Sequence, residues 1–250
     1  MLILLVIIGF IIGGFIIAMG GGGATFYLGI LTGLVNIAPA SATATSLFTA
    51  LPSLCIGAYS HYRTGNMRFH FGNRMLITAV PATVVGSLIS GYLSDTVYRW
   101  LLFLLFICLG SQILWQSFGP HRNRQRQHSN DSKLGQAFLF GALSGLMVGI
   151  AGLSGGSPLV AGMLLMGLSM QEAAATSSYV LIVTSLVGIM LHSTSGAIAW
   201  APGIALMIGA ICGAAFMPYW LNKFNASQVT SVLRPIMGTV MIIMAITTIL

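Results

Sequence analysis

The chain is a succession of apolar stretches, each about as long as a membrane is thick. Segments near 2–18, 40–60, 75–93, 97–117, 134–151, 172–192, 200–220 and 228–250 carry almost no charge, and a helix needs roughly 17–25 such residues to cross hydrocarbon. Hydrocarbon offers no partner to a free backbone N–H or C=O, so only helices and closed barrels can span it. These runs are continuous and lack the alternation of a barrel strand. Only 5% of the 250 residues are charged, against about 25% in a soluble domain, so lipid must cover most of the surface. The expected fold is all-α: a polytopic membrane helix bundle of about eight transmembrane helices.

The first segment reads as a retained helix. No Lys or Arg precedes it and no small-x-small cleavage site follows; its pattern also recurs later in the chain. Cys55, Cys108 and Cys212 all fall inside apolar spans. An odd count without metal-like spacing predicts neither a disulfide framework nor a zinc site, and the three read as buried small hydrophobes. The net charge of +7 does not point to nucleic acid, because the basic residues gather in loops between spans. Arg63, Arg68 and Arg74 mark one loop; Arg122, Arg124, Arg126 and Lys133, with His121 and His128, mark another. The positive-inside rule puts both on the cytoplasmic face.

An internal repeat organises the rest. Gly9, Gly13, Gly20 and Gly23 match Gly141, Gly145, Gly152 and Gly155 at a constant offset of 132. At an offset of 131, Thr45-Ser46 falls on Thr176-Ser177, His61 on His192 and Gly65 on Gly196. Gly86 and Tyr92 correspond to Gly213 and Tyr219 at a shorter one. The chain divides into a first transmembrane repeat (1–117), a basic linker (118–133) and a second repeat (134–250), two homologous four-helix units with glycine-broken or re-entrant segments. Duplication is a common ground plan of secondary transporters, with substrate held between the repeats. Four spans per half would make the repeats parallel, whereas the uneven loop charge favours inversion. Short apolar pieces at 24–35 and 155–168 are candidates for the half-crossings that inversion needs.

The strongest local feature is the tract Gly20-Gly21-Gly22-Gly23, matched by Gly152-Leu153-Ser154-Gly155-Gly156-Ser157-Pro158. Glycine costs a helix interior about 1 kcal/mol relative to alanine, so both tracts break a span at depth. Unwound backbone there is tolerated where it lines a cavity, and its N–H groups with the next helix N-terminus make an anion site. Gly22, Gly23, Gly155 and Gly156 are the expected lining. Gly9, Gly13, Gly141 and Gly145 fit close helix packing instead. Beside each break lies a short hydroxyl run, giving Thr45, Ser46, Thr176 and Ser177 as substrate-binding candidates; the bland account is a bond to the carbonyl one turn earlier. His61 and His192 close the same two helices as candidates for capping an anion or carrying protons. Ser169-Met170-Gln171-Glu172 reads as a capping box, which gives Glu172 a structural place. No carboxylate pair, metal-spaced cluster or phosphate loop occurs, so neither an enzyme nor a cofactor or metal is expected.

These motifs in this order resemble the TauE/SafE sulfite exporter family. The carriers of the resemblance are the glycine tract, the Ala-x-x-Thr-Ser step ending at Thr45-Ser46, and His61-Tyr62-Arg63-Thr64-Gly65-Asn66. The second half repeats them as Gly155-Gly156-Ser157-Pro158, Glu172-Ala173, Ala175-Thr176-Ser177, and His192 with Gly196. The first half departs from the pattern: Pro39 precedes its Thr-Ser step, and Pro-Leu after the glycines occurs only at Pro158-Leu159. The resemblance implies a multi-pass carrier of the cytoplasmic (inner) membrane that exports sulfite or another small sulfur-containing or organic anion. Import of such anions, or a scaffold or accessory-subunit role without transport, are the alternatives. The partners expected are a small anion and the lipid bilayer, with homo-oligomerisation left open.

Overall fold

The computed structural model describes residues 1–19, 23–118, 130–195, 198–221, 235 and 238–247. Gly20, Gly21, Gly22, Gly196, most of the linker and the start of the last apolar run lie outside the described residues. Every regular element among the described residues is helical. In order these are α1 (Leu2–Met19), α2 (Gly23–Gly33), α3 (Pro39–Arg63), α4 (Phe69–Ser90), α5 (Asp95–Phe118), α6 (Asn130–Ala151), α7 (Gly156–Leu165), α8 (Met170–Ser195) and α9 (Trp200–Leu221), followed by α10 (Gly238–Thr247). By length and hydropathy alone, α3, α4 and α8 qualify as membrane-crossing helices. The apolar pieces near 24–35 and 155–168 form the separate helices α2 and α7. With 11 and 10 residues they are roughly 15–17 Å long, about half a hydrocarbon core. Each half therefore contains five helices among the described residues, one more than the sequence suggested, because the glycine tracts end one helix and begin another.

Small residues set how the helices meet. A Cβ at Gly9 or Gly13 of α1 would strike the backbone of Leu206 or Ala210 of α9, and one at Gly209 or Gly213 would strike Val6 or Phe10. Both sets of numbers rise together, so α1 and α9 run parallel. Gly141, Gly145 and Gly149 of α6 meet Met75, Ala79 and Thr83 of α4 in the same way. Such contacts let backbones approach, and in lipid this packing replaces the hydrophobic drive of a soluble core. The packing reading of Gly9, Gly13, Gly141 and Gly145 thus agrees with the structure.

Other contacts fix the remaining directions. Gly72 of α4 lies against Thr176 and Tyr179 of α8, while Gly188 of α8 nears Thr83 of α4 and packs on Leu47 of α3. Helices α4 and α8 are thus parallel and α3 opposes both. Gly29 and Gly33 of α2 meet Met244 and Thr247 of α10, and Gly110 and Leu114 of α5 meet Ile242 and Gly238. Gly155 and Gly162 of α7 lie against Ser144 and Phe140 of α6, so these two are antiparallel. Gly203 of α9 lies against Thr45 and Thr49 of α3, so α9, and α1 with it, runs with α3 and against α6. The helices that open the two halves, α1 and α6, point opposite ways.

The radial distribution suits a lipid solvent. Thr43, Thr45, Ser46, Thr49, Ser53, Thr176, Ser177 and Thr184 are fully buried, while Ile77, Leu104, Leu139 and Met190 face outward. Exposed aromatics stand near both ends of the bundle: Tyr59, Tyr62 and Trp115 at one, Tyr92, Trp100 and Trp200 at the other. That is the arrangement of interfacial belts. The cysteines correct an expectation, since Cys55, Cys108 and Cys212 are exposed rather than buried. Facing lipid costs a small apolar side chain nothing, so an apolar span does not say which side a residue takes.

Candidate functional site

The second glycine break is held by a set of hydroxyl and imidazole donors. Helix α6 ends because Gly152 adopts a φ of 61°, a left-handed conformation that favours glycine, and its Cα faces Thr43 without room for a side chain. Most of the carbonyls around this ending find partners. Val148 and Met147 accept from the N–H groups of Gly152 and Leu153. Gly149 accepts from His192 Nε2 at 2.7 Å; opposite a carbonyl, that ring nitrogen must carry the proton. Ala151 and Gly152 accept longer bonds, each 3.4 Å, from Thr43 Oγ1 and Ser46 Oγ. Thr43 is itself fixed by Tyr98 OH at 2.6 Å.

The two breaks approach each other. Gly23 opens α2, and Thr25, two residues on, accepts the N–H of Ser154 at 3.1 Å. That bond joins the first turn of α2 to the residue beside Gly155 and Gly156. Gly22 lies outside the described residues.

The two Thr-Ser steps are not brought together. On antiparallel α3 and α8, Leu47 sits opposite Gly188, which leaves Thr45 and Thr176 roughly 20 Å apart along the axis at 1.5 Å per residue. Each threonine instead holds the start of another helix. Thr45 Oγ1 accepts the N–H of Ala199, just before α9, at 3.0 Å and donates to Ser41 O at 2.6 Å. Thr176 Oγ1 accepts the N–H of Arg68, the N-cap of α4, at 3.0 Å. Ser46 also donates to Thr43 O, and Ser177 to Ala174 O, both at 2.9 Å. His61 and His192 end antiparallel helices and so lie at opposite ends of the bundle. The Nε2 of His61 is buried and makes no hydrogen bond among the described residues.

Glu172 forms the expected capping box. Its carboxylate accepts from Ser169 N and Ser169 Oγ at 2.9 and 3.0 Å, and Ser169 Oγ accepts the N–H of Glu172 at 3.3 Å. The structure adds a partner that the sequence reading missed. Arg68 places Nε and a terminal guanidinium nitrogen 2.7 and 2.6 Å from Glu172 Oε1. Arg68 thereby grips α8 twice, through its backbone at Thr176 and its side chain at Glu172. Thr25, Thr43 and Tyr98 were missed as well: Thr25 and Tyr98 stand alone and carry no spacing signal, and Thr43 belongs to the hydroxyl run of Thr45 and Ser46 without being singled out from it. Among the described residues no group of three His, Cys, Asp or Glu side chains could hold a metal.

Comparison with known proteins gives this arrangement its context. The chain matches the family model described as sulfite exporter TauE/SafE over residues 5–248. It is 26% identical to the "probable membrane transporter protein YdhB" of Bacillus subtilis (strain 168), over 84% of this chain and 86% of that protein. It is 26% identical to the "probable membrane transporter protein YunE" of the same organism, over 93% of each. With the "probable membrane transporter protein YfcA" of Escherichia coli (strain K12) it shares 27% identity, over 80% of this chain and 74% of that protein. No solved structure matches the chain. The family and these relatives are membrane transporters, not enzymes. A glycine-broken, all-helical membrane chain matched from residue 5 to residue 248 belongs to the sulfite exporter TauE/SafE family.

Proposed function

We propose that this protein is a secondary carrier of the cytoplasmic (inner) membrane that exports a small anion, sulfite or an organosulfur or organic anion, through a site between two inverted repeats. The repeats are 1–117 and 134–250, joined by the basic linker 118–133. In this reading α1 and α6 enter the bilayer and α2 and α7 return along them as re-entrant arms, so each pair is a hairpin that ends on the side where it began. Three crossings after each hairpin are an odd number, which inverts the second repeat. The opposed directions of α1 and α6 support it. So does an exchanged pair of contacts: Thr45 with the N–H of Ala199, and Thr176 with the N–H of Arg68, are related by the offset of 131 in both members. Arg63 and Arg68 flank the segment that joins α3 to α4, with Arg74 in the second turn of α4, and a basic end of the bundle there fits a cytoplasmic face.

The observation that carries the proposal is the meeting of the breaks, Thr25 with Ser154. Gly22, Gly23, Gly155 and Gly156 would line the site. Thr45, Ser46, Thr176, Ser177 and His192 would hold its walls, with His61 at the Arg68 end. An anion bound by backbone donors, without a buried Arg, can be released, because a full ion pair in low dielectric holds too tightly for turnover. A monovalent anion leaving a negative-inside cell gains roughly 2.3 kcal/mol per 100 mV, so export needs no carboxylate relay. The test is efflux of labelled sulfite and sulfoacetate from proteoliposomes. Efflux above that of empty vesicles, accelerated by an inside-negative potential, is expected. Rates equal to empty vesicles for both anions would reject the proposal.

A further inference from the structure

Hydrogen-bond donors are left over at the tip between α6 and α7. The carbonyls of Val148, Gly149 and Ala151 at the end of α6 have the partners described above. The N–H groups of α7 do not. Gly155 is its N-cap, with no side-chain cap; Gly156 and Ser157 follow, and Pro158 has no N–H to offer. Among the described residues, no hydrogen bond uses the N–H of Gly155, Gly156 or Ser157. Two hydroxyls at the same tip also have no partner: Ser154 Oγ and Ser144 Oγ, on residues 4% and 0% exposed. Ser144 Oγ abuts Gly155 so closely that an added Cβ would collide with it. A buried hydroxyl left unpaired carries its full desolvation cost, and native proteins rarely tolerate such a group without a role. Two of them beside a helix N-terminus make a site that lacks only an acceptor.

The two serines have no counterpart in the first half. The positions 132 residues earlier hold Ile12 and Gly22, neither of which has a hydroxyl. The repeat that duplicated the break did not duplicate these donors.

We infer that this tip holds one small oxyanion of single negative charge, bound by the Ser144 and Ser154 hydroxyls and the first N–H groups of α7. The inference rests on the carrier reading above and deepens it by naming the donors, their half and the charge they suit. Helix α7 contributes at most roughly half a positive charge at its N-terminus. Neutral donors balance one negative charge spread over several oxygens, whereas the second charge of a dianion would be desolvated without compensation. The site therefore favours a sulfonate or hydrogensulfite over sulfate.

The experiment compares wild type with Ser144→Ala, Ser154→Ala and the double variant, purified in detergent and reconstituted. Methanesulfonate, a monoanion, should raise the unfolding temperature of wild type, and sulfate should not. Each single substitution should raise the methanesulfonate concentration needed by about tenfold, and the double variant should need more. Without ligand, the variants should be as stable as wild type or more so, since an unpaired hydroxyl has been removed; a purely structural serine would show the opposite. The KM for labelled sulfite should rise in parallel. Sulfite transport with an unchanged KM in all three variants overturns this site and leaves the carrier reading intact. A wild type that neither carries sulfite nor responds to methanesulfonate overturns both. Equal stabilisation by sulfate overturns the charge assignment.

Discussion

Replacing Thr176 by valine exchanges one hydroxyl for a methyl and leaves the size of the side chain almost unchanged. Thr176 is fully buried, and its oxygen is the acceptor for the N–H that caps α4, 3.0 Å away on Arg68. Valine strands that donor, which costs about 1–3 kcal/mol when the donor is shielded from water, and no cavity adds to the loss. For a chain of this size, 1 kcal/mol moves the unfolding midpoint by about 2–4 °C, so Thr176→Val should lower it by roughly 2–12 °C. Thr45→Val strands the N–H of Ala199 and should cost a similar amount. The hydrogen bond from Thr45 to Ser41 O adds little, because that carbonyl keeps its helical partner. The two sites lie at opposite ends, so the double variant should show the sum of the single effects. Thermal unfolding in detergent at one fixed scan rate measures this, with Thr176→Ser, which keeps the acceptor, as the control. An unchanged midpoint with weakened anion affinity would refute the anchoring role and make the hydroxyls ligands.

Three further outcomes follow from the packing. Single cysteines placed near Arg68 and near Arg124, in a background lacking Cys55, Cys108 and Cys212, should react with an impermeant reagent from the same, cytoplasmic, side; reaction from opposite sides would mean a miscounted crossing. Glu172→Gln keeps an oxygen for the Ser169 N–H and loses only an ion pair whose arginine side chain is 55% exposed. It should cost under about 1 kcal/mol and spare sulfite flux, whereas lost flux in a folded protein would give Glu172 a coupling role. Gly145→Ala drives a Cβ into the backbone of Ala79 and should destabilise by about 1–3 kcal/mol. Gly135→Ala, on the same helix with nothing within 4 Å, should be neutral or gain up to about 1 kcal/mol in helix propensity, and equal midpoints for the two variants would reject the α4–α6 contact.

Much of the fold was legible because a membrane reduces the possibilities. Apolar length predicts helices, and glycines at 9, 13, 141 and 145 predict close contacts. What the glycines cannot say is which helix they meet. Gly9 and Gly141 occupy matching positions in the repeat, yet each packs against a helix of the opposite half, Leu206 of α9 and Met75 of α4. That exchange depends on the relative direction of the halves, which turns on whether the glycine tracts end a helix or merely bend it. Gly152 decides it through its left-handed φ of 61°: the chain reverses there, and α7 returns along α6. A tract of small residues in sequence is compatible with either outcome.

The hydroxyls and glycine breaks were legible in the sequence, but the groups they bond to were not. Hydroxyls beside a broken helix look like ligands, because a ligand and a stranded backbone group ask for the same chemistry. Thr43 and Ser46 donate to the carbonyls of Ala151 and Gly152, and His192 donates to Gly149. Thr45 and Thr176 accept the N–H groups that open α9 and α4. Breaking a helix in a bilayer exposes acceptors on one side and donors on the other, and every one of them has to be met inside the protein. On the acceptor side, α3 and α8 meet the carbonyls of Ala151, Gly152 and Gly149. On the donor side, Thr25 meets only Ser154 N, and the next N–H groups stay open. The proposed anion carrier would use that imbalance: a break satisfied on both sides is a rigid joint, whereas unmet donors suit a negatively charged guest.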